Sequence, residues 1–527
     1  MNITCEDYMS IKRKLWFGLA VSLQLCALAF AAHQAVAQEA PDAVMARPPV
    51  DQPYNDKTLY GFGAGDALAA AQVTESAAVT HDSISINGKT IRYTATAGHL
   101  TAADPKTGKP EASIFYVAYT ADKQNTGKRP VTFFYNGGPG SSSVWLHLGS
   151  FSPKRIVTGD PATTQPLPFP FVDNKQSLID TTDMVFIDAV GTGFSEAISP
   201  NTNQTFWGVD SDAAVFRDFI TRYLNVNHRL ESPKYLYGES YGTPRTDVLA
   251  NLLEMGGTKL TGVVLQSAIL NYNSNADFNG GSYGPYFPGY AAVGAYFKLV
   301  TPPPANLTTF AKQMRTFVAG IYEPAVDAFL ASNTQPSPNL LNQLFFNSGY
   351  PAALWKADFN LDETTFRSNL IPGSLLGRYD GRVVAVNGSP LAADGDPSST
   401  LITQPFTDRM NDYLPHGLKY TAVSTYNIEN GDTIQDWVWT HDGLYLPDTI
   451  PDLAAAIYQN PKLKVLSENG YHDLATPFYN TELDLGRLGP ISGLQITHYR
   501  GGHMIYLFDP SRLLMKGDLV RYYDSRS

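Results

Sequence analysis

Nine residues, Lys234-Tyr235-Leu236-Tyr237-Gly238-Glu239-Ser240-Tyr241-Gly242, leave this chain few architectures to choose from. A short apolar strand runs straight into Gly-x-Ser-x-Gly, and Thr243 to Met255 then reads as a helix. A strand that reverses into a helix within so few residues leaves no space beside the serine. Glycine therefore stands two residues to either side of it. The hydroxyl is held out at a helix N-terminus, whose dipole favours developing negative charge. A bare Gly-x-Ser-x-Gly arises by chance in a glycine-rich chain. The strand before it and the helix after it mark this copy as a nucleophile elbow.

The surrounding pattern agrees. Val131–Tyr135, Met184–Asp188, Tyr235–Tyr237, Val263–Leu265 and Leu463–Leu466 are strand candidates. Between two of them Phe216, Phe219, Ile220, Tyr223 and Leu224 keep helical spacing on one apolar face. Such alternation predicts an α/β fold, a mostly parallel sheet with helices on both faces. Upstream, Ser83 to Tyr93 reads as a hairpin turning at Asn87-Gly88, and Ala112–Tyr119 as a further strand. The pattern lapses from about residue 271 to 420, a stretch rich in Tyr, Phe, Pro, Gly and Asn. We read it as an inserted cap between a first core part, 76–270, and a second, 421–527. Residues 38–75, rich in Pro, Ala and polar side chains, read as a mobile leader.

A serine elbow needs a base and an orienting acid, and in the α/β-hydrolase fold they follow in the order Ser, Asp, His. His503 comes after a strand candidate, Leu494–Tyr499, and two glycines; Asp473 lies on a loop beyond another strand end. His472, next to Asp473, competes as the base, whereas His498 falls inside a strand. Asn136-Gly137-Gly138-Pro139-Gly140-Ser141-Ser142-Ser143 follows an early strand, where a glycine-rich turn can aim backbone N–H groups at an oxyanion. It lacks the Lys-Ser/Thr ending of a phosphate-binding loop.

Taken together, these motifs resemble the serine carboxypeptidase family, in the form of a cysteine-free, bacterial-type member. Residues 136–143 look like its first block. Asp188-Ala189-Val190-Gly191-Thr192-Gly193-Phe194-Ser195 looks like its second, with Ala189 where proline is usual. Gly238–Tyr241, Asn469–Asp473 and Gly502–Met504 resemble its nucleophile, aspartate and histidine blocks. The resemblance implies Ser240, Asp473 and His503 as the catalytic triad, and Gly138 and Tyr241 as oxyanion-hole donors. It further implies that Asn136 and Glu239 bind a terminal carboxylate and that Met504 lies near the leaving-group pocket, although a packed core methionine reads equally well. Ser141 replaces a usual cysteine, and Phe134 stands where tryptophan is common. Ser150 takes the place of a glutamate that partners Glu239 in the family. That last departure leaves the carboxylate subsite open.

The implied activity is release of C-terminal residues from peptides through an acyl-enzyme on Ser240, with no cofactor and no metal. An esterase, amidase or acyltransferase on the same triad is the alternative, and an inactive binding scaffold is the rival of another class. Asn279–Phe297 reads either as an apolar pocket wall or as loop packing. Asp394 and Asp396 carry too few spaced ligands for calcium and read as a solvated turn.

Lys12-Arg13-Lys14, an apolar run from Leu15 to Ala31 and Ala35-Val36-Ala37 make residues 1–37 a cleaved signal peptide, with a membrane anchor as the other reading. Both cysteines, Cys5 and Cys26, fall inside it, so thiol nucleophiles, cysteine metal sites and disulfides are excluded from the mature chain. About 490 residues remain, enough for a large core without staples. The formal charge of −11 becomes −12 once Lys12, Arg13, Lys14, Glu6 and Asp7 are removed. An acidic surface argues against nucleic acid as a partner. The expected partner is a peptide with a free C-terminus, met by an exported, periplasmic or secreted protein that keeps no membrane attachment.

Overall fold

Val131–Tyr135, five residues without one exposed side chain, forms the middle of a sheet buried on both faces. The computed structural model describes residues 50–161 and 165–524. The expected signal peptide and the first part of the leader lie outside them. We label the main strands β1 (Ala77–Ile86), β2 (Lys89–Ala103), β3 (Pro110–Ala121), β4 (Val131–Tyr135), β5 (Asp183–Ile187), β6 (Lys234–Glu239), β7 (Gly262–Gln266), β8 (Lys464–Gly470) and β9 (Leu494–Tyr499). Their spatial order is β9-β8-β7-β6-β4-β5-β3-β2-β1, and the two-residue strand Glu196–Ala197 pairs with β3. From β9 to β5 every pairing is parallel; β3, β2 and β1 continue antiparallel. The hairpin turns at Asn87-Gly88 as expected, but its arms are longer than the sequence pattern indicated.

Alternate residues of the parallel strands feed two separate cores. Val131, Phe133, Leu236, Val263 and Val465 face one side, where helices α2 (Val209–Val226), α3 (Gly242–Met255) and later α6 (Ile450–Gln459) pack. Phe134, Tyr235, Tyr237, Val264 and Leu466 face the other, covered by α1 (Val144–Gly149), α5 (Pro397–His416) and α7 (Asp509–Asp524). Period-two alternation with apolar residues at both parities is what commits a strand to a sheet covered on both faces.

Between β7 and β8 the chain leaves the sheet. This excursion is mostly helical and holds its own apolar cluster, built around Phe287, Phe317, Tyr322, Trp355 and Phe366. Asn279–Phe297 belongs to that cluster: α4 (Phe287–Tyr296) buries Phe287, Tyr290 and Val293 in it, and none of them lines the Ser240 cleft.

Residues 50–75 differ from the mobile leader expected of them. Tyr54–Asp56 pairs in parallel with Tyr420–Ala422, and the buried Asp56 carboxylate accepts hydrogen bonds from the Tyr60 and Tyr420 hydroxyls and the Thr58 N–H. Burial pushes the Asp56 pKa up, but these donors outweigh it and hold the group below its ordinary range. A satisfied buried carboxylate pins this segment where composition alone suggested a solvated tail.

Candidate active site

At the end of β6 the chain turns through Ser240 with φ of +59°, a left-handed conformation that costs a non-glycine residue energy. Gly238 makes the turn possible, because a Cβ there would stand 2.1 Å from the Gly242 carbonyl oxygen and 2.4 Å from Thr246 Oγ1. A Cβ on Gly242 would crowd the carbonyls of Tyr135 and Asn136 at 3.0 and 3.2 Å. Ser240 keeps partial exposure while its strand neighbours are buried.

His503 and Asp473 meet from loops after β9 and β8. His503 Nδ1 lies 2.8 Å from Asp473 Oδ2, both side chains being buried. The carboxylate holds the proton on Nδ1 and leaves Nε2 a free lone pair. Asp473 is itself fixed: its Oδ1 accepts the N–H groups of Ala475 at 2.8 Å and Thr476 at 3.0 Å. The Thr476 hydroxyl sits 2.8 Å from Asp473 Oδ2 and 2.9 Å from the Ser267 carbonyl, and its single proton serves one of them. Burial opposes charge on the His503 ring, yet the Asp473 carboxylate outweighs it, so the ring's pKa lies above the ordinary value. Tyr379 stacks on the ring at 4.9 Å. No hydrogen bond joins Ser240 Oγ to His503 among the described residues, but both line one cleft.

The competing histidine points elsewhere. His472 Nδ1 accepts the Gly501 N–H, and burial together with Arg382 holds its pKa well below the ordinary value. His498 is engaged by Glu482 and Arg315.

Across the cleft, Gly137 and Gly138 run against the elbow: a Cβ on Gly137 would stand 2.4 Å from the Tyr241 nitrogen. Gly138 has φ of +102°. Among the described residues nothing accepts from the backbone N–H of Gly138 or of Tyr241. The buried Asp188 holds this loop in place, accepting from the Ser143 N–H and hydroxyl at 2.8 and 2.7 Å and from the Tyr426 hydroxyl at 2.7 Å. Its own neighbour explains Gly193, where a Cβ would collide with the Asp188 carboxylate at 1.9 Å.

The fold has a counterpart of known structure. A prohormone-processing carboxypeptidase of Saccharomyces cerevisiae superposes with a TM-score of 0.52 at 16% identity, covering 82% of this chain and 91% of that one. This chain has the α/β-hydrolase fold. Within it, residues 87–277 match the model of the serine carboxypeptidase family. Pheromone-processing carboxypeptidase KEX1 of Cryptococcus gattii is 31% identical over 166 residues, 30% of this chain and 23% of that protein. Serine carboxypeptidase-like 45 of Arabidopsis thaliana is 28% identical over 196 residues, 34% of this chain and 39% of that protein. The matched part thus spans less than half of each of these two relatives. The family match takes in the Asn136, Asp188 and Gly238 motifs and stops before Asp473 and His503.

Other groups around the cleft were only partly legible beforehand. Asn136 Nδ2 donates to Glu239 Oε1 at 2.9 Å, and its Oδ1 accepts the Leu146 N–H, tying the loop to α1. Glu239 Oε2 accepts from Gln266 Nε2 at 2.8 Å. Ser150 spends its hydroxyl on the Leu146 carbonyl and is absent from the cleft lining. Met504 lines the cleft while packing against the core behind it. Trp145, Tyr379, Ile402 and Glu429 also line the cleft and carried no motif; the last three come from the excursion between β7 and β8. Asp396 caps α5, accepting from the Ser398 N–H, which accounts for that acidic turn.

Away from the cleft, the buried His441 bridges two carboxylates, Nδ1 to Asp210 at 2.7 Å and Nε2 to Asp452 at 2.8 Å. With Asp442 and Asp452 it forms a metal-like cluster, but both ring nitrogens are already hydrogen-bonded. The bonds to Asp210 and Asp452 push its pKa up to about 10 from 6.5. The folded state therefore keeps a proton that the unfolded state releases, and the stability this gives is whole below 6.5 and lost as pH rises through about 10. His441→Gln should lower Tm by several degrees at neutral pH and flatten its alkaline decline, read by calorimetry across pH. A variant whose Tm tracks wild type at every pH would show that the imidazolium bridge contributes nothing.

Proposed function

We propose that this protein is a serine-type carboxypeptidase that releases C-terminal residues from peptides through an acyl-enzyme on Ser240. The observation that carries the reading is the 2.8 Å bond from His503 to Asp473 in the cleft lined by the strained Ser240. Ser240 Oγ attacks the scissile carbonyl carbon and its proton passes to His503 Nε2, while Asp473 stabilises the imidazolium. The oxyanion is received by the N–H groups of Gly138 and Tyr241. His503 then protonates the departing amine, and water, deprotonated by the same ring, releases the acyl group. No step calls for a cofactor.

Asn136 and Glu239 serve as the carboxylate subsite. Burial pushes the Glu239 pKa up to about 7, against the opposing pull of His503. A protonated Glu239 can donate to a substrate carboxylate, and an ionised one repels it. A neighbouring cavity shares Tyr379, Ile402 and Met504 with the cleft and is walled by Phe169, Leu401 and Phe508. It accommodates an apolar side chain beside the scissile bond. The excursion over about 271–420 acts as the cap that supplies Tyr379, Leu401 and Ile402 to this cavity. The chain is exported behind the signal of residues 1–37, and the mature protein is cysteine-free.

The test is kcat/KM against pH for matched free-acid and C-terminally amidated peptides. Free-acid turnover should fall as pH rises through about 7 and Glu239 ionises, while amide turnover falls less. Glu239→Gln, which keeps a donor without a titrating proton, should extend free-acid hydrolysis to higher pH. The position of Ser150 outside the cleft favours one second reading, an esterase or amidase on the same triad. It takes the lead if Glu239→Gln changes both substrates alike. Asn136→Ala is the weaker probe, because the side chain also holds the Leu146 N–H at the start of α1.

A further inference from the structure

Glu239, Gln266 and Glu468 form one row across three neighbouring strands. Glu239 is in register with Gln266 on β7, and Gln266 with Glu468 on β8, so their side chains leave one face of the sheet. All three are buried. Tyr237, two residues before Glu239, joins them on that face. Its hydroxyl is 2.8 Å from Gln266 Oε1 and 2.8 Å from Glu468 Oε2. Gln266 Nε2 lies 2.8 Å from Glu239 Oε2 and 3.3 Å from the His503 carbonyl. Acyl transfer as described makes no use of Glu468.

Counting protons sets the direction of this chain. A phenol has one proton, so Tyr237 cannot donate to both of its neighbours. Gln266 cannot supply the missing one, since its carbonyl oxygen is the atom facing Tyr237. Turning the amide over would aim that oxygen at the His503 carbonyl, an acceptor at every pH, and at Glu239, an acceptor once that carboxylate ionises. The proton between Tyr237 and Glu468 therefore belongs to Glu468.

We infer that Glu468 is a neutral carboxylic acid and a positioning residue: it donates to Tyr237, Tyr237 donates to Gln266, and the Gln266 amide is thereby held with its N–H toward Glu239. The surroundings fit. Tyr237 from β6, Tyr499 from β9, and Asp518, Tyr522 and Tyr523 from α7 are the titratable groups that face it, and none is a cation. Tyr499 donates to Asp518 at 2.8 Å and stands 3.3 Å from Glu468. The Tyr522 hydroxyl lies 2.8 Å from the Val263 carbonyl and 2.9 Å from the Lys464 carbonyl. Burial pushes the Glu468 pKa up to about 8.

The sign of the stability effect follows. Above 4.5 the unfolded chain releases a proton that the folded protein retains, so wild type loses stability as pH rises from 4.5 towards 8. Glu468→Gln keeps a donor to Tyr237 and has no proton to lose. In thermal unfolding of the full-length protein, the Tm difference between Glu468→Gln and wild type should widen steadily in favour of the variant over that range. A constant difference means that Glu468 is ionised in the fold, and the inference falls whatever the protein catalyses.

The positioning role rests on the function proposed above and has its own readout. Tyr237→Phe removes the donor that holds Gln266, so Glu239 loses an N–H and ionises at higher pH. The alkaline limb of free-acid hydrolysis should move upward, with amide hydrolysis unmoved, whereas Glu468→Gln leaves that limb in place. An unmoved limb in Tyr237→Phe overturns the positioning role. Absence of any peptidase activity defeats the proposed function instead, and the Tm comparison then decides Glu468 alone.

Discussion

Ser240→Ala should lower kcat by ~10⁴–10⁶-fold while leaving Tm and substrate KM near wild type. The loss is large because no other described side chain can take over: Ser240 is the residue held at positive φ between the Gly137–Gly138 loop and the N-terminus of α3. What activity remains would come from binding and from the two free N–H groups, which polarise a carbonyl for attack by water. Alanine relieves no contact and creates little cavity, since the serine is partly exposed. A fluorophosphonate should label wild type at Ser240, as peptide mapping would reveal, and should leave the variant unmodified. Labelling at another serine, with the variant still active, would end the assignment.

Asp473→Asn should lower kcat/KM by ~10⁴-fold with the fold intact. The turn after β8 dictates how an asparagine would sit. Asp473 Oδ1 holds the N–H groups of Ala475 and Thr476, so an amide oxygen would keep that place and the NH₂ would face His503 Nδ1. A donor there forces the imidazole proton onto Nε2, the atom that must accept the proton of Ser240. The ring would be present, correctly placed and in the wrong tautomer. Substitution of His503 by alanine should cost about as much as loss of the serine, and combining the two should cost little more, because the three groups act as a unit. Retention of full activity in Asp473→Asn would mean that Thr476, 3.1 Å from His503 Nδ1, orients the ring unaided.

Strand and turn sterics are local, and they were legible residue by residue. Val131–Tyr135 and Leu494–Tyr499 coincide with the structure, and the other parallel strands fall within a few residues of their apolar runs. Gly238 and Gly242 announced the elbow because a Cβ at either position meets backbone atoms a few residues away. The loops carrying Asp473 and His503 were likewise placed by the strands that precede them. Which of two histidines faces the acid was decided elsewhere. His472 is covalently next to Asp473 in sequence, yet its ring turns to Gly501, and His503 arrives from thirty residues on. Residues 50–75 read as a tail until the buried Asp56 found the Tyr420 hydroxyl, 364 positions away. Tyr379 and Ile402 reach the cleft from a region without strand periodicity, and Glu429 from just beyond it; the row Glu239–Gln266–Glu468 exists only through the register of three strands. Periodicity and turn sterics act between neighbours along the chain and so are written in it locally. Contacts across the cleft depend on how distant segments pack and on which buried polar atoms find partners there, and only the folded protein settles those pairings.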